Sequence, residues 1–121
     1  MRIVCVDDHP IMLKGLYQSI KTLYPDAEIS VFDNPEEAHD FAKSGGCDIL
    51  ISEIELRGID GITLANKVKE INPEVNIIFH TVCDEKEHAR EVLKIKPSGY
   101  LVKPANFDQL KNELTNLRYR A

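Results

Sequence analysis

The chain has little cysteine and no pairing pattern for what it has. Cys5, Cys47 and Cys83 are odd in number, widely spaced and without a CxxC, so they signal neither a disulfide framework nor a zinc site. They read as buried thiols. Clusters of Lys and Arg are missing too, and a net charge of −5 disfavours nonspecific binding to nucleic acid or to an anionic membrane surface. No apolar stretch approaches the roughly 20 residues of a membrane span, and no signal peptide precedes "MRIVCVDD", so the cytoplasm is the expected compartment. Internal repeats and low-complexity runs are absent, and only the terminal "RYRA" has the look of a linker.

What is present suits one compact domain. The 121 residues are 43% hydrophobic and 29% charged, ordinary for a globular chain long enough to bury most of its apolar surface. Residues 3–6 (IVCV), 48–51 (DILI) and 75–79 (VNIIF) are short apolar runs rich in Val and Ile, as expected of strands buried on both faces; 28–32 (EISVF) and 99–102 (GYLV) are weaker candidates. Between them, apolar residues recur at helical spacing: Met12, Leu16, Ile20 and Leu23; Ala38, Phe41 and Ala42; Leu64, Ala65, Val68 and Ile71; Ala89, Val92 and Leu93; Leu110, Leu114 and Leu117. Asn34 before Pro35-Glu36-Glu37, Asp84 with Glu87, and Asn106 mark helix starts, the first two as capping boxes. Strand and helix alternate five times, which predicts a parallel sheet with right-handed crossovers and helices on both faces.

In such a sheet the ligand site lies beyond the carboxyl ends of the strands. The first strand ends in Asp7-Asp8, the third in Glu53, the fourth in His80-Thr81 and the fifth in Lys103-Pro104. Taken singly, each of these residues is as well explained by a solvated loop or a turn. Together they bring three acids, a hydroxyl and an amine to one edge. Crowded carboxylates repel unless a cation sits among them, and an all-oxygen set suits Mg²⁺ with a phosphate oxygen. Lys103 and Thr81 would hold the remaining phosphoryl oxygens by charge and by hydrogen bond.

Over essentially its whole length the sequence resembles the receiver domain of bacterial two-component response regulators, the CheY-like family. The resemblance rests on "VDDHP", "DILISEIELRGIDG", "HT" and "GYLVKP" in that order and spacing. It implies a flavodoxin-like, doubly wound, five-stranded parallel sheet of order 2-1-3-4-5 with five helices. The implied activity is Mg²⁺-dependent acceptance of a phosphoryl group from a sensor histidine kinase, a signalling role and not an enzyme's. By the same resemblance Asp7 and Asp8 look like the Mg²⁺-binding pair, with Glu53 and the Glu55 backbone carbonyl completing the metal set. Thr81 and Lys103 look like the phosphoryl contacts, Tyr100 with Thr81 like the switch, and the Lys103-Pro104 bond is expected to be cis. His9 and His80 flank the site without forming a Cys/His cluster, so they are expected to be structural or to support the residues of the site.

Glu53 stands where the family carries its phosphoacceptor aspartate. One methylene moves the carboxylate by roughly 1.5 Å, and in-line phosphoryl transfer loses on the order of a hundredfold for a misplacement of about 1 Å. A receiver that does not accept phosphate, or that partly imitates the phosphorylated state, is therefore expected. Either a natural receiver that gave up phosphotransfer or one whose aspartate was recently or deliberately replaced fits, and the survival of the other site residues favours the second. Two smaller departures are Arg57 in place of a proline and Val82 in place of a small residue. The first would free a rigid φ, and the second would narrow access to the site or limit inward motion of Tyr100.

An Mg²⁺-dependent phosphatase-like enzyme using Asp7 and Asp8 is the alternative, although it calls for a D-x-D spacing. A flavin-type cofactor binder would need a Gly- or Ser/Thr-rich phosphate loop in place of "DDHP". A degenerate receiver acting only through protein contacts is a third. "VDDHP" resembles the opening of regulators with a helix-turn-helix output, so residues 1–121 are expected to be the N-terminal receiver of a longer regulator. Its partners would be a C-terminal output domain or a partner protein, with a homodimer in view.

Overall fold

The computed structural model describes residues 1–82 and 85–121, with the Glu85 side chain outside the description. The elements run β1 (Arg2–Val6), α1 (Pro10–Leu23), β2 (Glu28–Phe32), α2 (Pro35–Gly45), β3 (Ile49–Ser52), α3 (Gly61–Ile71), β4 (Asn76–Thr81), a 3-10 turn (Glu85–His88), α4 (Ala89–Ile95), β5 (Gly99–Val102) and α5 (Phe107–Thr115). All strand pairs are parallel and the order is β2-β1-β3-β4-β5. This is the doubly wound arrangement that the alternating pattern and the resemblance both point to.

Successive strand residues face opposite sides of the sheet, and each side has its own core. Val4, Val6, Leu50, Ile77 and Phe79 pack with Ala38, Ala42, Leu64, Ala65, Val68, Val92 and Ile95 of α2, α3 and α4. Ile3, Cys5, Ile49, Ile51, Ile78 and Leu101 pack with Leu13, Leu16, Ile20, Leu110 and Leu114 of α1 and α5. Burial on both faces is why β1, β3 and β4 read as unbroken apolar runs instead of alternating ones. Cys5 and Cys47 are buried as expected, and burial, reinforced by Asp48, pushes the Cys47 thiol up to about 12, far from a reactive thiolate. Cys83 lies outside the described residues.

The caps follow the sequence in part. The Asn34 side chain accepts from the Glu37 N–H, and Asn106 forms a complete reciprocal box with Gln109. Asp60, not singled out in the sequence, caps α3 by accepting from Thr63 N–H at 2.7 Å. Asp84, half of the other expected box, lies outside the described residues. Two expectations about helix faces need correction. Leu93 is 74% exposed, because α4 has only seven residues and turns Val92 and Ile95 to the sheet. Leu117 falls beyond α5, which stops at Thr115, although it still packs on the core as part of the tail.

Candidate functional site

Four loops at the carboxyl edge of the sheet carry the predicted residues. Asp7 follows β1, Glu53 follows β3, Thr81 ends β4 and Lys103 follows β5, and all four are buried: Asp7 1%, Glu53 2%, Thr81 0% and Lys103 9% exposed. Buried ionisable groups survive only when paired. Lys103 Nζ lies 2.6 Å from Asp7 Oδ2 and 2.5 Å from Glu53 Oε2, so one ammonium bridges two carboxylates. Burial alone would lower the Lys103 pKa, but the hydrogen bonds and charges of Asp7 and Glu53 outweigh it and hold the amine above its ordinary value. The Lys103-Pro104 peptide is cis, as the resemblance implies.

The other oxygen of Glu53 is equally engaged. Oε1 accepts from the backbone N–H of Ile54 at 3.0 Å and of Glu55 at 3.2 Å, and from the Thr81 hydroxyl. The carboxylate of Glu53 is thus held by an amine, a hydroxyl and two amides. These are the donor types that a phosphoryl group would draw on.

The loop that presents Glu53 is braced from below. Gly61 N–H donates to Ile54 O at 2.7 Å, and a Cβ on Gly61 would fall 1.9 Å from the Glu53 carbonyl oxygen. Only a residue without a side chain lets the start of α3 approach that backbone so closely. Gly58, at φ 87°, supplies the turn between them. Nothing in the sequence singles out Gly61 as the residue that positions the acid.

His9 lies directly against the acid pair. Its Nδ1 lies 2.9 Å from Asp7 Oδ1 and 3.3 Å from Asp8 Oδ1, and its backbone N–H also donates to Asp7 Oδ1. Its adjacency to the acid pair was the available signal. The Asp7, Asp8 and His9 donor atoms lie within 4.8 Å of one another, and the His9 side chain is 64% exposed and can swing clear. Two carboxylates this close, one buried and one partly exposed, fit a hard divalent cation.

The Glu55 side chain is exposed, and its carboxylate lies within 4.8 Å of ligand atoms of Glu87 and His88. Val82 is 65% exposed, its side chain mostly in solvent, and Arg57 is exposed as well. Tyr100 is half-buried, with its ring edge-on to Phe79 at a centroid distance of 6.1 Å. His80 is buried on the α1 and α5 side of the sheet, and desolvation, with the Lys103 charge behind it, lowers its pKa.

Comparison with known proteins agrees with this geometry. The response regulator receiver domain family matches residues 3–115. The chain is 32% identical over 120 residues to the positive alginate biosynthesis regulatory protein of Pseudomonas aeruginosa, covering 94% of this chain and 46% of that one. It is 30% identical over 117 residues to the uncharacterized transcriptional regulatory protein YesN of Bacillus subtilis, covering 96% and 32%. The chain spans about a third to a half of the length of the curated relatives it matches.

Among solved structures, the response regulator TrrA of Thermotoga maritima, in complex with Mg²⁺–BeF, superposes with a TM-score of 0.81 at 30% identity over 94% of this chain and 96% of that one. A CheY-like receiver domain protein from Methanospirillum hungatei gives a TM-score of 0.85 at 21% identity, covering 94% and 90%. With the motifs, the strand order and the acid–lysine edge in agreement, the chain belongs to the response regulator receiver domain family.

Proposed function

We propose that this receiver is a signalling module in which the Glu53 carboxylate occupies the position of a phosphoacceptor and imitates part of the phosphorylated state. The observation that carries this reading is the cage around Glu53, with Lys103 on one oxygen and Thr81 and two backbone amides on the other. A single carboxylate supplies one negative charge and two oxygens, where a phosphate supplies a charge of about −2 and three. Its imitation is therefore partial.

Asp7, Asp8 and the Glu55 backbone carbonyl are the groups to hold Mg²⁺, and Glu53 joins them only by releasing one of its present partners. When bound, the cation supplies charge neutralisation for incoming phosphoryl oxygens. TrrA, solved with Mg²⁺–BeF, supports Mg²⁺ as the metal here. The protein's own share is to hold the acceptor rigid through Gly61, to present the Lys103 amine, and to offer the Thr81 hydroxyl. A sensor histidine kinase is the natural phosphodonor for this family.

Residues 1–121 then form the receiver part of a longer regulator whose C-terminal output domain is of the transcriptional kind, since two relatives named as transcriptional regulatory proteins, YesN and DegU, are matched over only 32% and 47% of their length. Tyr100 and Thr81 report the state of the site to the α4, β5 and α5 face. Leu93 and Val102 expose apolar surface there to an output domain, a partner or a second copy.

The test is Glu53→Asp. With acetyl phosphate and Mg²⁺, a carboxylate oxygen of the introduced aspartate attacks phosphorus and acetate leaves, giving an acyl phosphate. Intact mass spectrometry is expected to find the adduct on the variant and little on the parent. Equal labelling of both would reject the reading of Glu53 as a non-accepting mimic.

A further inference from the structure

A cleft of about 200 Å³ opens between α1 and the β5-α5 loop, on the opposite side of the sheet from Tyr100. Its walls are largely apolar, with Ile11, Leu16, Leu101, Pro104 and Phe107 among them, and His80 is part of its lining. Two features of the cleft have no explanation among the described residues.

The first is His80. The residue is 6% exposed, and among the described residues its Nδ1 has no hydrogen-bond partner. A buried polar atom left unpaired costs on the order of 1 to 3 kcal/mol. Desolvation lowers the pKa of the ring, so the imidazole is neutral at neutral pH and offers one donor and one acceptor.

The second is Gly15, in the middle of α1. A glycine there costs roughly 0.5 to 1 kcal/mol relative to alanine. Its backbone is helical, so no positive φ requires it, and an added Cβ would meet nothing within 4 Å. Neither the conformation nor the packing of this chain accounts for the missing side chain.

We propose that the cleft binds a neutral, single-ring compound bearing one hydroxyl, with its ring against Gly15 and between the apolar walls and its hydroxyl hydrogen-bonded to His80. Apolar walls with one placed polar group are the pattern of small-ligand sites. A dry apolar cavity of about 150 Å³ holds benzene, so this volume suits one ring with a substituent. A hydroxyl both donates and accepts, which satisfies Nδ1 in either tautomer. Because Nδ1 is covered, a turn about the ring's Cβ–Cγ bond accompanies binding. A charged ligand is disfavoured: the nearby Lys103 ammonium is already paired with Asp7 and Glu53. His80 precedes Thr81, and Leu101 and Pro104 lie on either side of Lys103 in sequence, so an occupant bears on the segments that carry the two side-chain contacts to Glu53.

Phenol and toluene serve as probes in an NMR titration of the parent, His80→Leu, Gly15→Leu and Gly15→Ala. Phenol is expected to shift the Gly15 amide and the His80 ring nitrogens. The ratio of phenol to toluene affinity should fall about tenfold in His80→Leu, the size of one net hydrogen bond. Gly15→Leu, which fills the cleft, should lose both probes. Gly15→Ala should fold at least as stably as the parent and bind more weakly, which separates a filled cleft from a misfolded one. An unchanged affinity ratio, shifts confined to other surfaces, or Gly15→Leu titrating like the parent would overturn the proposal. So would the absence of any shift up to the solubility limit, which would leave the cleft to a side chain of a protein partner.

Discussion

Lys103 and Glu53 form a buried ion pair, Nζ to Oε2 at 2.5 Å with both side chains at or below 3% exposure, and the same amine also holds Asp7. The pair joins β5 to β3 across β4, so the carboxyl edge of the sheet is drawn together by charge as well as by the ladder.

Removing the amine should therefore be costly. Lys103→Met leaves two buried carboxylates facing each other, and losing one partner of a buried pair costs about 3 to 5 kcal/mol. Urea denaturation is expected to show a midpoint lowered accordingly, with part of the loss restored in Lys103→Met/Glu53→Gln, where one of the opposed charges is gone. A single variant as stable as the parent would mean that the acids find another counter-charge.

Mg²⁺ should stabilise the fold through Asp8. Selective binding to the native state adds about 1.4 kcal/mol at ten times Kd. The melting temperature of the parent is expected to rise with Mg²⁺ while that of Asp8→Asn stays nearly flat. His9→Ala should respond at lower Mg²⁺ concentration than the parent, since its imidazole lies against both acids. Indistinguishable responses in all three proteins would rule out a site at the acid pair.

Acid sensitivity should trace in part to His80. Its pKa is lowered in the folded protein, chiefly by desolvation. The unfolded chain therefore takes up a proton near pH 6.5 while the folded one does not. This contribution to stability is whole above that pH and declines as the pH falls toward the folded value. Stability measured from pH 7.5 to 5 should fall less steeply in His80→Leu than in the parent. Parallel curves would show that His80 does not titrate differently on folding.

Gly61→Ala should disturb the site without touching a charged group. The new Cβ would sit 1.9 Å from the Glu53 carbonyl oxygen, so the loop or α3 must move. Overpacking of this kind costs typically 1 to 3 kcal/mol. In the Glu53→Asp background, labelling by acetyl phosphate should drop at least tenfold, because the acceptor is displaced. Undiminished labelling would mean that Gly61 does not position the acceptor.

The sequence by itself determined the strand and helix order and the edge at which the acids meet. Hydrophobic periodicity is local, and strand ends in a parallel sheet all open on one side. That is why the positions of Asp7, Glu53, Thr81 and Lys103 in the chain already point to one place. The ends of β3 and β4 were read one or two residues short, because Ser52, His80 and Thr81 are polar yet buried in the ladder. Tertiary structure alone decided the rest. Which donors hold each oxygen of Glu53, the lodging of His9 between Asp7 and Asp8, and the closeness of Gly61 to the Glu53 carbonyl all depend on distances between segments far apart or sharply turned in the chain. Those distances follow from how α3 packs and how β4 and β5 register, and no local pattern of residues encodes them. The same holds for His80: its identity is plain in the sequence, but that its nitrogen is buried unpaired beside a cleft against Gly15 is a consequence of α1 and α5 packing on the sheet.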